Sequence, residues 1–192
     1  MKGINIFLAD GFEDVEALAV NDVLRRAGLQ TKLVSINSEK SVCSSHSVCI
    51  TADCTLEQID FSHTGTEEKD VMIFPGGMPG TKNLAACKEL IELMNAHYSA
   101  GGSVAAICAA PGLVLSQLTG VCDASFTCFE GFQKHLSDKD WTFCRRPSHR
   151  SGRIITGRSA GFALDFGFEI LRAITDEDTV CKVQAGVFSW GV

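Results

Sequence analysis

Apolar positions along the chain switch between two periods. Ile4-Asn5-Ile6-Phe7-Leu8-Ala9 is a β-rich apolar run that stops at the loop Asp10-Gly11-Phe12. From Glu13 the spacing becomes helical, with Val15, Leu18, Ala19, Val23 and Leu24 expected on one face, Arg25 and Arg26 on the other, and Gly28 as the stop. Thr31 to Ile36 reads as a second strand and closes a β-α-β unit. Residues 41–52 alternate weakly and read as a hairpin or excursion carrying a solvated His46. Leu56 to Phe61 reads as a short amphipathic piece, residues 63–68 as a polar loop, and Asp70 to Phe74 as a third buried strand. That strand ends at Pro75-Gly76-Gly77-Met78-Pro79-Gly80, where glycines let backbone N–H groups approach something small. Asn83 to Tyr98 predicts one long helix, with Leu84, Cys87, Leu90, Ile91 and Met94 on its core stripe.

The stretch after Gly101-Gly102 organises the rest. Val104 to Ile107 is a short apolar run expected of a covered central strand, Cys108 falls on a sharp turn, and Pro111 suits the first turn of a following helix. A thiol placed there meets the unpaired N–H groups of the new helix, a setting expected to favour the thiolate. Further on, Ala124 to Cys128 predicts a short strand leading into Phe129-Glu130-Gly131-Phe132, and Trp141 to Cys144 an edge strand. Arg145 to Arg150 reads as a solvated basic turn. Arg153 to Thr156 is another strand, ending at Gly157-Arg158; Phe162 to Ile174 is an apolar helix, and Asp176 to Val183 a last short one. No linker or internal repeat interrupts the 192 residues, which read as one domain over 1–192.

Strands alternating with helices imply an α/β fold with a mostly parallel sheet and helices on both faces, and right-handed crossovers bring the carboxyl ends of the strands to one edge. Four loops meet there: Asp10-Gly11 with Glu16 just beyond, Pro75-Gly76-Gly77, Cys108-Ala109, and Gly157-Arg158. Ligands bind open α/β sheets at that edge. A Cys108 thiolate attacking a carbonyl carbon would place the developing oxyanion on the N–H groups of Gly77 and Ala109. Glu13, Asp14 and Glu16 crowd the first helical turn. One of them, Glu16, is expected to face Cys108 and share a proton with it, the carboxyl being the holder.

Composition narrows the classes. Seventeen Lys and Arg against 23 Asp and Glu give a net charge of −6, against a general nucleic-acid binder. No apolar run approaches the ~20 residues of a membrane span, and no signal segment is visible, so a cytoplasmic protein is expected. Nine cysteines, an odd number without an export signal, are expected to be mostly reduced. No Cys-x-x-Cys pair occurs, and Cys43, Cys49 and Cys54 lack metal-ligand spacing, so no metal is expected. The Gly76-Gly77 loop lacks the Gly-Lys-Ser/Thr ending of a phosphate cradle.

Together, Ala9-Asp-Gly-Phe-Glu-Asp-Val-Glu-Ala17, Arg25-Arg-Ala-Gly28, Pro75-Gly-Gly-Met-Pro-Gly80, Ala105-Ala-Ile-Cys-Ala-Ala-Pro111, Thr127-Cys-Phe-Glu-Gly-Phe132 and Ile154-Ile-Thr-Gly-Arg-Ser-Ala-Gly161 resemble the ThiJ/PfpI superfamily. The branch that they resemble is that of the parkinsonism-associated deglycase and its bacterial homologues. The resemblance implies a flavodoxin-like three-layer sandwich that forms a homodimer. It also implies Cys108 as the nucleophile on an elbow, Glu16 as its protonated partner, and Gly77 and Ala109 as backbone donors. Gly76, Cys128 and Arg158 are expected to line the site. Implied activities need no cofactor: conversion of methylglyoxal and glyoxal to hydroxy acids, repair of glycated thiols and amines, oxidation of the cysteine to sulfinate, and holdase chaperone action. The implied partners are a small carbonyl substrate or an oxidant, with no nucleic acid and no membrane. The protease branch has a His directly after the nucleophile, where this chain has Ala109. Cys128 stands where some relatives carry a His, and could act as a neighbouring, resolving thiol. An amidotransferase would need a late His-x-Glu pair, which His149-Arg150-Ser151 does not supply.

Overall fold

The structure, a computed structural model, describes residues 1–59 and 67–187. In chain order its elements are β1 (Ile4–Leu8), α1 (Asp14–Arg26), β2 (Thr31–Ser35), β3 (Ser41–Cys43), β4 (Cys49–Thr51), β5 (Cys54–Thr55), β6 (Val71–Phe74), α2 (Gly80–Ala86) and α3 (Lys88–Ser99). There follow β7 (Ser103–Ile107), α4 (Ala110–Leu113), β8 (Ala124–Phe126), β9 (Trp141–Phe143), β10 (Ser148–Ser151), β11 (Ile154–Gly157), α5 (Ala163–Ile174) and α6 (Glu177–Val187).

Seven strands form one sheet in the order β10-β11-β7-β6-β1-β2-β5, parallel throughout except for β10. The five central strands follow the flavodoxin order. Period-two alternation divides the sheet between two cores. Ile4, Ile6 and Leu8 of β1, Val71 and Ile73 of β6, and Ala105 and Ile107 of β7 pack under α1, α5 and α6. Phe7, Met72, Phe74, Val104 and Ala106 face α2, α3 and α4. Both faces being covered, these strands read as continuous apolar runs, and the three-layer α/β sandwich follows.

The structure departs from the sequence expectations at four elements. Helix α1 is rotated from its expected face: Glu16, Ala17, Val20, Val23 and Leu24 are buried, whereas Val15 is 49% exposed. The long helix expected over 83–98 is two helices, α2 and α3, broken where Cys87 takes an extended conformation at ψ 95°. Its stripe survives the break, since Leu84, Leu90 and Met94 are buried and Cys87 and Ile91 pack beside them. Half of the expected basic turn, Ser148–Ser151, pairs antiparallel with β11 as the sheet's edge, and β8 and β9 form a separate parallel pair. The piece expected over Leu56–Phe61 is a 3-10 turn at Leu56–Gln58, and the polar loop at 63–66 lies outside the described residues.

The cysteine expectation needs one correction. The register of β3 against β4 sets Cys43 opposite Cys49, and the two form a disulfide; the other seven cysteines are free. Among the described residues no helix is long and apolar enough to cross a membrane.

Beneath β6 and β7 lies a buried histidine. The Nε2 of His97 sits 3.1 Å from the Asp70 carbonyl and 3.0 Å from that of Ser103, so the ring carries its proton there. Burial pushes its pKa down to about 4. An unfolded chain takes up a proton at this residue below about pH 6.5, which the folded protein refuses until about pH 4, so stability falls with pH across that window. In urea titrations between pH 7 and pH 4.5, the wild type is expected to lose more stability than His97→Gln, by on the order of 2 kcal/mol. Equal losses in the two proteins would show that the ring accepts its proton in the folded state.

Candidate functional site

Strand β7 is buried on both faces, and its last ladder contact is the Cys108 N–H donating to the Gly157 carbonyl at 3.0 Å. At the next torsion the chain turns away: Cys108 has φ +65°, in the left-handed region that costs a non-glycine residue about 1–3 kcal/mol. The Cys108 carbonyl is then fixed by the Phe129 N–H at 2.8 Å. Pro111 lies in the first turn of α4, and Gly112 leaves room for the Phe132 backbone, which a Cβ would meet at 2.5 Å. A strand, a strained turn and a short helix thus hold one sulfur at the carboxyl edge of the sheet.

The carboxyl partner comes from α1, where the rotated face sends Glu16 inward to 1% exposure. Its Oε2 accepts from the Gly76 N–H at 2.8 Å, and the carboxyl hydrogen-bonds the Cys108 thiol. Oε1 is buried and accepts from no N–H or O–H group. Gly76 is required by contact: a Cβ there would stand 2.5 Å from Glu16 Oε2 and 2.6 Å from the Cys108 Cβ. Two loops lock together around this point. The Glu13 N–H donates to the Gly76 carbonyl at 2.9 Å and the Gly80 N–H to that of Gly11 at 3.0 Å. Gly77 adopts φ +92° against the backbone of residues 11–13.

Burial raises the Glu16 pKa to about 7, so the carboxyl holds a proton into the neutral range. Burial also raises that of the Cys108 thiol, and the Glu16 charge raises it further, against the lowering effect of the Ala109 and Gly77 N–H groups. This corrects the expectation that the helix N-terminus alone favours a thiolate, because α4 has only four residues and a small dipole. The thiolate instead depends on where the pair keeps its proton. With the proton on Glu16, two N–H groups and one O–H face the sulfur; with Glu16 charged, the thiol stays protonated.

The pair opens into a cavity of about 470 Å³ lined by Glu13, Glu16, Gly77, Met78, Cys108 and Ala109, together with Phe129, Phe132 and residues 159–161. Cys108, Glu16, Gly76, Gly77 and Ala109 therefore lie together. Cys128 and Arg158 do not. Cys128 is fully buried, with its Sγ donating to the Phe129 carbonyl at 3.3 Å, and burial pushes its pKa up to about 12. Arg158 turns toward Glu130, 3.6 Å away. Sequence reasoning missed Phe129, Phe132 and Met78 as walls. Their only signal was apolar residues in segments otherwise read as loops, and 47% exposure of Phe129 is what marks it.

Among the described residues, Glu13, Asp14 and His46 bring ligand atoms within 4.8 Å of one another. His46 is exposed, as expected, but not free: its Nδ1 is 2.8 Å from Asp14 Oδ1. That hydrogen bond raises its pKa.

Fold and site define a class: flavodoxin-like α/β proteins with a cysteine on a strand–turn–helix elbow. The model of the DJ-1/PfpI family matches residues 2–173, and the chain belongs to that family. It is 29% identical to protein DJ-1beta of Drosophila melanogaster over 97% of this chain and 96% of that one. The crystal structure of DJ-1beta superposes with a TM-score of 0.86, covering 97% of each chain. A glutathione-independent glyoxalase of Caenorhabditis elegans, DJR-1.2, is 28% identical over 84% of this chain and 82% of that protein. A DJ-1 superfamily protein of Salmonella typhimurium superposes with a TM-score of 0.86 at 26% identity, covering 98% of each chain.

The coupled pair has a measurable signature. Iodoacetamide labelling of Cys108, read by mass spectrometry, is expected to rise through a midpoint near pH 7 in the wild type, where the pair loses its first proton. In Glu16→Gln the midpoint moves above the ~8.5 of a free cysteine, because a buried thiol then ionises alone. One midpoint shared by both proteins would uncouple the two groups.

Proposed function

We propose that the protein is a cofactor-independent enzyme that converts 2-oxoaldehydes such as methylglyoxal to 2-hydroxy acids at Cys108. The observation that carries this reading is a buried carboxyl with a pKa near 7 hydrogen-bonded to a thiol on a strained elbow, open to a cavity. The relative named a glyoxalase supports the same reaction class.

The chemistry follows from the groups present. Cys108 Sγ bonds to the aldehyde carbon, and the carbonyl oxygen takes the proton of the pair, held meanwhile by the Gly77 and Ala109 N–H groups. Glu16, then a carboxylate, removes the hydrogen on that carbon as a proton, giving an enediolate, and returns it to the neighbouring ketone carbon, while the proton on the first oxygen passes to the former ketone oxygen. The aldehyde carbon is thereby oxidised to a thioester and the ketone reduced to an alcohol, so no external oxidant or reductant is needed. Water cleaves the thioester, releasing the 2-hydroxy acid and restoring the thiol. Proton transfer falls to Glu16 because, of the two carboxyl groups on the cavity wall, it is the one paired with the Cys108 thiol. Repair of glycated thiols and amines would enter the same sequence through their hemithioacetal or hemiaminal adducts.

Purified protein with methylglyoxal is expected to form lactate. Cys108→Ser should abolish turnover, and Glu16→Gln should lower kcat by about 10²–10⁴-fold. Lactate formation that survives Cys108→Ser would overturn the reading.

A second reading rests on the same donors. Peroxide can deliver two oxygens in succession to the Cys108 sulfur, each with release of water, and Gly77, Ala109 and protonated Glu16 are placed to hold a sulfinate. Such an oxidised form would serve a redox sensor or a redox-regulated chaperone. Intact mass after mild peroxide is then expected to show two added oxygens mapped to Cys108; oxidation spread over the free cysteines would contradict it.

A further inference from the structure

The cavity is built for more than a three-carbon substrate. Its volume, about 470 Å³, lies within the ~300–1,000 Å³ of pockets that take drug-sized ligands. Methylglyoxal would fill a small part of it beside the sulfur.

The lining is of two kinds. The Glu16 carboxyl, the thiol, the N–H groups of Gly77 and Ala109, Glu13 and Ser159 are polar. Met78, Phe129 and Phe132 supply the large apolar side chains. The two rings meet edge to face, with centroids 6.3 Å apart at 73°. Phe129 cannot drift from the sulfur, because its own N–H is the donor that fixes the Cys108 carbonyl at 2.8 Å. Met78 and Phe129 are 41% and 47% exposed, large apolar surfaces left open beside a reactive group. A thioether and an aromatic face suit an aromatic ligand.

Charge points the same way. Among the described residues no Lys or Arg lines the cavity, and Glu13 and Glu16 stand on its wall. Arg158, the nearest candidate cation in the sequence, is directed to Glu130. An anionic substituent, whether phosphate or carboxylate, would face the carboxyl groups of Glu13 and Glu16 and, among the described residues, no ammonium or guanidinium group.

Resting on the glyoxalase reading above, we infer that the preferred substrates are uncharged 2-oxoaldehydes with an aryl or bulky branched-alkyl substituent. The substituent lies against Met78, Phe129 and Phe132, which set specificity without touching the reacting atoms. The conversion balances as before: the oxoaldehyde and one water give the 2-hydroxy acid, phenylglyoxal giving mandelate.

The test compares kcat/KM for phenylglyoxal and methylglyoxal by chromatographic quantification of mandelate and lactate. Measuring product excludes the consumption of phenylglyoxal by surface arginines, and Cys108→Ser supplies the background. The wild type is expected to favour phenylglyoxal by about tenfold or more. Phe129→Ala should bring that ratio down by about tenfold, Met78→Ala should lower it less, and Phe129→Tyr should restore it. Both altered positions are half exposed, so the variants are expected to fold, which circular dichroism checks. A wild-type ratio at or below one, or a ratio indifferent to Phe129→Ala, overturns the inference while lactate formation leaves the reaction class standing. Absence of Cys108-dependent product from both substrates overturns the reaction class and the inference with it.

Discussion

Taking the Glu16 carboxyl out of water beside a thiol is the step that the surrounding structure has to accommodate. A buried carboxylate with one hydrogen-bonded oxygen is costly, so the group retains its proton to about pH 7. The same burial makes a lone thiolate unfavourable. Neither group ionises cheaply alone, but the two can share one proton, and the Gly77 and Ala109 N–H groups face the sulfur when it carries the charge. The reactivity of Cys108 is thus a property of the pair.

Backbone positions serve that pair as much as side chains do. Gly76 has no Cβ because Glu16 Oε2 and Cys108 occupy its place, and its N–H is the carboxyl's one strong donor. The loops after β1 and β6 exchange backbone hydrogen bonds, which holds α1, and with it Glu16, at a fixed height over the elbow. The elbow in turn is tied on one side to β11 and on the other to Phe129. Strain at Cys108 persists because its neighbours over-determine it.

The bonds that hold the elbow also shape the cavity. The segment from Phe129 to Phe132 satisfies the Cys108 carbonyl, packs over Gly112 and supplies the aromatic wall. Glu130, between Phe129 and Phe132 in sequence, pairs with Arg145 and Arg158, and among the described residues no Lys or Arg lines the cavity. The hairpin of β3 and β4, closed by the Cys43–Cys49 disulfide, flanks the opposite side, where His46 meets Asp14 next to Glu13 on the cavity wall.

The sequence by itself determined the alternation of strands and helices, the covered parallel sheet, and the turn at Cys108, because local period and breakers act over a few residues. It also placed three acids in the first turn of α1. Which of them reaches the thiol was decided by how α1 lies on the sheet: the packing of Val20, Val23 and Leu24 turns Glu16 inward and leaves Val15 exposed. Contacts between segments apart in sequence likewise decided the withdrawal of Cys128 and Arg158 from the cavity, and strand pairing decided the edge strand cut from a basic turn and the Cys43–Cys49 bridge. The aromatic wall belongs with these, since nothing local to Phe129 and Phe132 brings them to a sulfur more than twenty residues away. Hydrophobic period reports which side of an element is covered; what covers it, and at what angle, is a property of the folded chain.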